Sequence, residues 1–481
     1  MQLMNHLSNR LYLVLVIFII SVSGQDKPKK VSGKDQSNKQ SPIPDPCPSM
    51  CTCVSDIRVI DTLENPQMVT CSYKNLATFP DFSAILDNMT TLDLSYNKFA
   101  KINLVDNLTD LRTFNLSNNI IESIEPQAFE QLPNLQIIDL SLNKLSSLPD
   151  MVFAKLSQLK EIDLSDNGLT SLQENIFDDQ QWLEVLHLRA NNLKSLPEVL
   201  FRNNERLRVL DLSHNELYSL PDTIFQSTLA LTTLDLSENQ FSVVPSEDLA
   251  RAKNLEELDI SANMMKKLDH DSFTNLNHLK VLRINNMKQL TEIDDYTFSY
   301  LCYLKKIEIK FNPRLSMLAH SAFYGLNFNS SCFNLEEVNL YGNQLSEMKE
   351  HVLPVCKIPI VDLRDNQWKC DCHFKWVKSC KQDDPIHRQI RCLSPLKIAN
   401  IEISDIDEAE FTCPIEGNGF SREIRLFRLF VVLFGVLTLV FMGFMVVYYL
   451  HKAKVIGSFG HKYQRMGSIH YVKTQTNEGQ E

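Results

Sequence analysis

Asparagine returns along this chain with a nearly fixed stride. It stands at Asn97, Asn119, Asn143, Asn167, Asn191, Asn215, Asn239, Asn263, Asn312, Asn343 and Asn366, mostly 24 residues apart. Ahead of nearly every one lies the same apolar frame, as in Leu159, Ile162, Leu164 and Asn167, or Leu207, Leu210, Leu212 and Asn215. A stride this regular obliges each stretch to take one conformation and to pack against copies of itself, because no single stretch can bury its own apolar face.

Apolar residues at i, i+3 and i+5 with Asn at i+8 predict an α/β solenoid, the leucine-rich repeat horseshoe. Twelve frames are legible, from Met89-Leu92-Leu94 to Ile358-Val361-Leu363. In Leu210-Asp211-Leu212 the alternation of a strand turns both leucines inward and Val209, Asp211 and Ser213 outward. Neighbouring frames then add strands side by side into a parallel sheet on the concave face. Asn leaves the strand and turns inward, where its amide both donates to and accepts from buried backbone groups that leucine could not satisfy. The outer half carries a second ladder: Phe129, Phe153, Phe177, Phe201, Phe225, Phe273, Phe298 and Phe323, with Leu249 in the gap. Pro149, Pro197, Pro221 and Pro245 precede it and suit a turn that opens a short helix or extended segment.

A solenoid exposes apolar edges unless its ends are capped. Cys47, Cys51, Cys53 and Cys71 precede the first frame; Cys370, Cys372, Cys392 and Cys413 follow the last. With Pro46-Cys47-Pro48-Ser49-Met50-Cys51-Thr52-Cys53 in front and Trp368-Lys369-Cys370-Asp371-Cys372-His373-Phe374-Lys375-Trp376 behind, residues 46 to about 414 resemble extracellular leucine-rich repeat proteins with cysteine-rich caps. Slit, the Nogo receptor, Toll and trophoblast glycoprotein belong to that group. The resemblance implies Cys47–Cys53 and Cys51–Cys71 in front, and Cys370–Cys392 and Cys372–Cys413 behind. Sequence alone does not give such connectivity. Cys302, Cys332, Cys356 and Cys380 depart from the simplest pattern, and their placement near consecutive frames leads us to expect Cys302–Cys332 and Cys356–Cys380. A metal reading of Cys-x-Cys is disfavoured by the oxidising compartment inferred next.

Residues 1–24 read as a secretory signal, with Arg10, the apolar run Leu11 to Ile20 and the small residues Ser23 and Gly24. Residues 25–46 form a polar, disordered linker, 47–80 the front cap, 81–366 the repeats, 367–414 the rear cap and 415–428 a juxtamembrane linker. Residues 429–450 are 22 without a charge. As a helix they would span about 33 Å, enough for a hydrocarbon core of about 30 Å. Basic residues flank both sides, so the signal sets the orientation: single-pass type I at the plasma membrane, ectodomain outside, and residues 451–481 as a cytoplasmic tail. All twelve cysteines precede the span, as an oxidising exterior requires. The tail is too short for a kinase or Toll/interleukin-receptor domain, and Tyr463-Gln464-Arg465-Met466 resembles a tyrosine-based sorting motif, with Tyr463 and Met466 its anchors. Asn88, Asn107, Asn115 and Asn329 open glycosylation sequons, and a glycan on Asn115 would obstruct the inner face near the second repeat.

The central column of that face reads Asp93, Asn115, Asp139, Asp163, His187, Asp211, Asp235, Asp259, Arg283, Glu308, Asn339 and Asp362. Residues 47–420 hold 34 Lys and Arg against 53 Asp and Glu, a net −19 against −11 for the whole chain. Such a field favours basic partners and disfavours nucleic acid. Asp between the two leucines is also a usual residue of this repeat, so departures from it are more informative. His187 with Arg189 interrupts the acidic run. Arg283, Asn285, Lys306, Glu308, Lys310, Asn339, Tyr341 and Arg364 then crowd into the ninth to twelfth repeats, where Met287 replaces the ladder Asn and 31 residues separate Asn312 from Asn343. Insertions in solenoids often decorate a binding face, and Tyr and Arg often dominate interfaces. His187, His214, His270 and His278 sit at unrelated places in their repeats beside no activated nucleophile, and glycine is only 13 of 481, without a phosphate loop. Neither an enzyme nor a cofactor is expected. The sequence reads as a cell-surface protein that recognises or adheres to an extracellular protein or opposing receptor, a second copy included. The alternatives are a co-receptor or modulator of a secreted ligand, and an innate immune receptor without its own signalling domain.

Overall fold

The structure, a computed structural model, describes residues 47–54, 67–82, 89–105, 108–326, 332–380, 389–413 and 419–460. Its backbone is one continuous 14-stranded sheet. Strand Thr52–Val54 pairs antiparallel with Met68–Thr70, and every later strand adds in parallel, ending at Ile360–Asp362. Twelve of these strands are the twelve frames of the sequence. Each is only three residues long, and its middle residue is buried: Leu92, Phe114, Ile138, Ile162, Leu186, Leu210, Leu234, Leu258, Leu282, Ile307, Val338 and Val361. The register is residue for residue, so Leu210 lies between Leu186 and Leu234.

The ladder Asn is the joint of each turn. In Asn215, Nδ2 donates to the carbonyls of Leu188 (2.9 Å), Leu212 (3.1 Å) and Ser213 (3.1 Å), while Oδ1 accepts from Leu193 N–H at 3.0 Å. One amide thereby binds two successive turns together. Immediately before it the backbone is left-handed, and this recurs at Tyr96, Asn118, Leu142, Asp166, Ala190, His214, Glu238, Ala262, Asn286, Phe311 and Asp365. Residues with a Cβ avoid that region at a cost of about 1–2 kcal/mol each, so the buried amide hydrogen bonds hold the turn closed against its own preference. Glycine serves this position once, at Gly342, where a Cβ would stand 2.9 Å from the Phe311 ring.

The phenylalanine ladder fills the opposite side. Phe129, Phe153, Phe177, Phe201, Phe225, Phe273, Phe298 and Phe323 are all buried, as is Leu249, the end of the short helix Ser246–Leu249. Ring centroids of Phe153, Phe177 and Phe201 are 6.2 and 6.3 Å apart, whereas paired strands lie about 4.8 Å apart. Each regular turn is therefore a wedge, thinner at the strand, and stacking wedges makes the sheet face concave.

Both ends are sealed by cystines. The bonds are Cys47–Cys53 and Cys51–Cys71 in front, Cys370–Cys392 and Cys372–Cys413 behind, Cys302–Cys332 across the tenth and eleventh turns, and Cys356–Cys380 between the last turn and the rear cap. In front, the antiparallel strand covers what would be an open sheet edge. Behind, Trp368 is fully buried, stacks on Phe374 at 4.7 Å and donates its indole N–H to Leu363 O at 2.7 Å. The apolar core runs from Val69 to Phe411. Among the described residues helix Gly419–Gly460 adds no side chain to it: its apolar stretch Phe430–Lys452, with mean hydropathy 2.8, has no buried residue and is long enough to cross a membrane.

Replacing Asn215 by Leu should leave the buried Leu193 N–H without a partner and take one hydrogen bond from each of the Leu188, Leu212 and Ser213 carbonyls, which keep Asn191 Nδ2, Asn239 Nδ2 and Ala190 N–H. We expect a loss of about 3 kcal/mol, read as a lower urea midpoint for residues 25–420. An unchanged midpoint would contradict the role given to the ladder.

Candidate functional site

Three side-chain columns run along the strand face. The first begins each strand (Thr91, Thr113, Ile137, Glu161, Val185, Val209, Thr233, Glu257, Val281, Lys306, Glu337, Ile360). The second is the acidic column, and pairing keeps it in line across all twelve turns, with Asp211 beside Asp235 and Asp235 beside Asp259. Much of this acid has a structural task. Each of Asp93, Asp139, Asp163, Asp211, Asp235 and Asp259 accepts from the backbone N–H two residues on, at 2.8–3.0 Å. Asn115 and Asn339 do the same at 2.9 and 3.1 Å. The column therefore needs a carbonyl-type oxygen, not a charge, to close the strand end. The third column corrects the sequence expectation. Ser213, expected to point outward, is buried and donates its hydroxyl to Asp211 at 2.6 Å, and Ser95, Ser117, Ser141, Ser165, Ser237 and Ser261 are buried too.

Carboxylates stacked at strand spacing repel one another. Burial, followed by Asp259 and Asp211, pushes Asp235 up to about 7, against the hydrogen bonds from Ser237. Burial, followed by Asp163, raises Asp139; burial also raises Asp259 and Glu161. Neither Asp235 nor Asp259 forms an ion pair among the described residues. His187 interrupts this run. Burial alone would lower its pKa, but the hydrogen bond and charge of Asp211, with Asp163 and Glu161, raise it, and Nδ1 stands 3.9 Å from Asp211. Burial opposes the ionisation of Asp211, yet His187 and Ser213 hold its carboxyl below the usual value. Arg189 reaches along the same face to the Ser213 hydroxyl at 2.8 Å.

In turns nine to twelve the pattern changes. Arg283 and Glu308 replace the capping Asp, and the orphaned N–H groups are taken over by neighbouring turns: Asn285 N–H donates to Ser261 Oγ, and Lys310 N–H to Asn285 Oδ1, both at 2.9 Å. Buried Lys306 reaches Glu308 at 2.8 Å and Glu337 at 2.9 Å, and Lys310 reaches the other oxygen of Glu308 at 2.9 Å. Burial resists ionisation of Glu308, but the two lysines hold it down at about 2. Lys306, Glu308 and Asn285, three of the sequence candidates, are therefore internal struts. Arg283, facing Glu257 at 3.5 Å, and Lys310 remain partly open. The third column now carries Lys310, Tyr341 and Arg364 where regular turns bury Ser. Arg364 grips Asp362 with two nitrogens at 2.9 and 2.7 Å, reaches Gln389 at 2.8 Å and lies 5.3 Å from the Tyr341 ring. Tyr341 meets Phe311 edge-on at 5.1 Å, and Phe311 is half exposed. Phe311 was missed in the sequence. The signal was a bulky aromatic directly before the ladder Asn312. His187 and Arg189 do not join this cluster: four strand steps, roughly 19 Å, separate His187 from Arg283.

Asn115 lies on the face with its side-chain oxygen engaged by Ser117 N–H and Oγ–H at 2.9 and 2.7 Å. Asn88, Asn107, Asn329, Tyr463 and Met466 lie outside the described residues. Cys372, His373 and Cys413 converge, but both sulfurs are in one disulfide and supply no thiolate for a metal.

Comparison with known proteins agrees with this architecture. Leucine rich repeat models match residues 109–169, 157–217, 181–241, 205–265 and 253–313, and a two-copy leucine rich repeat model matches 87–130. Mouse oligodendrocyte-myelin glycoprotein is 38% identical over 82 residues, which are 17% of this chain and 16% of that protein. The chain thus spans about a sixth of the curated relatives it matches. Among solved structures, the Drosophila Toll–Spatzle complex aligns with a TM-score of 0.55 at 24% identity, over 74% of this chain and 56% of that one. A chain of the octameric complex of Latrophilin 3, Unc5D and FLRT2, whose repeat component is FLRT2, aligns with a TM-score of 0.54 at 21% identity, over 76% and 100%. These likenesses establish the fold.

The crowding at Asp235 makes stability depend on pH. Between its ordinary value of 3.8 and about 7 the folded state holds a proton that the unfolded state has lost, so stability falls as pH rises through that window. Asp235→Asn keeps the capping oxygen, as Asn115 shows in the same column, and removes the charge. The variant should match the parent near pH 4 and exceed it above pH 7 by on the order of 1 kcal/mol, measured by thermal unfolding at both pH values. Equal curves at both would refute the crowding.

Proposed function

We propose that this leucine-rich repeat chain is a membrane-anchored cell-surface molecule of type I orientation that binds an extracellular protein on its concave face and serves cell recognition or adhesion. The observation that carries this reading is the Phe311–Tyr341–Arg364 group. It combines an exposed aromatic ring, a second aromatic and an oriented guanidinium, in the turns that carry the Lys306–Glu308–Lys310 network, whose Lys306 and Glu308 are buried. Aromatic and Arg side chains on a rigid support are the usual energetic centres of protein interfaces. The adjoining acidic column supplies a negative field that steers a basic partner and repels nucleic acid.

Several features support the setting. Six disulfides and no free cysteine among the described residues suit an oxidising exterior. One apolar helix follows the rear cap. The names of the aligned structures place this fold in protein complexes, Toll with Spatzle and FLRT2 with Latrophilin 3 and Unc5D. No cofactor or catalytic step enters this reading.

A multimerised ectodomain, residues 25–420, should be screened against extracellular proteins, itself included. For any partner found, Phe311→Ser with Tyr341→Ala should weaken binding by about tenfold or more through faster dissociation. Glu161→Lys and Glu257→Lys, which leave the capping acids alone, should instead slow association and flatten its salt dependence. A partner indifferent to both pairs would place the binding face elsewhere. Cells bearing the chain should aggregate if the partner sits on an opposing cell, and stay dispersed if the partner is a secreted factor.

A further inference from the structure

Opposite the strand face, tyrosine accumulates on the outer flank of turns eight to ten. Tyr296, Tyr300 and Tyr324 are each about half exposed, and with His270, Ser299 and Gly325 they line an open cleft of about 370 Å³. The cleft is held in shape. Tyr296 sits at φ +65, a region bulky residues avoid, and its N–H donates to Ser321 O at 2.9 Å in the next turn. That backbone sets its ring edge-on to Tyr324 at 5.2 Å. Gly325, at φ +91, forms part of the lining; a Cβ there would come within 3.1 Å of Ser299 O.

The lining chemistry is selective. The Ser299 hydroxyl already donates to Tyr296 O at 2.7 Å, and the His270 ring faces Asp271 at 3.3 Å. What remains is aromatic surface with phenol hydroxyls at the ring tips. Such a cleft suits a ligand with apolar surface to lie on the rings and carbonyls to accept from the phenol hydroxyls. A proline-rich extended segment has those properties, because polyproline II leaves its carbonyls unbonded. Aromatic grooves take such segments in general.

This chain carries one such segment, Pro42-Ile43-Pro44-Asp45-Pro46, directly before Cys47 and outside the described residues. Lys27, Lys29, Lys30, Lys34 and Lys39 precede it. Exposed Asp269, Asp271 and Asp295 adjoin the cleft residues His270 and Tyr296, so the charges are complementary as well. The segment cannot reach its own cleft. Pro42 is five residues from Cys47, at most about 18 Å, whereas ten strand steps, about 48 Å, separate the front cap from turn nine.

We infer that the Tyr296–Tyr300–Tyr324 cleft receives the Pro42–Pro46 segment of a second copy, pairing two ectodomains side by side in opposite directions. A two-fold arrangement fills both clefts at once. This contact lies on the outer flank and is independent of ligand binding on the concave face.

Sedimentation equilibrium of residues 25–420 over a range of concentrations tests it. The parent should self-associate, and Pro42→Ala with Pro44→Ala, changes outside the folded repeats, should weaken the dimer by about tenfold or more. Tyr324→Ala should do the same, while Phe311→Ser with Tyr341→Ala should leave it unchanged. A fluorescent peptide of residues 38–46 should bind the parent and not the Tyr324 variant. A monomer throughout, or a dimer indifferent to the two prolines, overturns the proposal. Peptide binding without dimerisation also overturns it, in favour of a proline-rich segment from another protein.

Discussion

Eleven of the twelve turns each depend on one inward-turned amide. The left-handed residue before each ladder position bends the chain inward against its intrinsic preference, and the Asn side chain that follows ties the bend to the preceding turn. A leucine would fill the same space and leave a backbone N–H stranded in an apolar core, at a cost of about 1–3 kcal/mol. The ninth turn shows how far the rule can be relaxed. Met287 accepts Asn263 N–H through its sulfur at 3.3 Å, and Asn312 accepts Met287 N–H at 2.7 Å, so the neighbouring turns supply what the missing amide would have.

From that joint the rest follows by stacking. Strands three residues long would be unstable alone, yet twelve in parallel register form a sheet because each middle residue packs between its equivalents. The phenylalanines on the far side stack from turn to turn, and from Phe153 to Phe201 their spacing exceeds that of the strands and bends the sheet. The same register that builds the sheet also aligns the acidic residues, so the face inherits electrostatic crowding as a consequence of the fold. Where the molecule departs from this economy, capping in turns nine and ten is handed to Ser261 and Asn285, and in turns ten to twelve Lys310, Tyr341 and Arg364 stand where regular turns bury Ser.

The period of the repeat, the number of turns, the inward Asn and the Phe ladder were legible in the sequence because each is a local pattern that every turn repeats. The membrane span was legible because length and the absence of charge define it. The candidate face was legible only in part. Lys306, Glu308 and Asn285 read as exposed by strand alternation, but they are buried, with Lys306 paired to Glu308 and Glu337 and Asn285 accepting from Lys310 N–H. Ser213 failed for a related reason: its hydroxyl is drawn under by Asp211 in the turn. Phe311 and the tyrosine cleft went unseen because their neighbours lie 24 to 31 residues away and belong to no repeated position.

What the residues alone determined is the solenoid and its direction of stacking, since a periodic apolar frame with a periodic amide admits no other way to bury both. What the tertiary structure decided is which of the aligned polar side chains still face water. That outcome depends on contacts between turns, where side chains of unequal length compete for the same space and the same hydrogen-bonding groups.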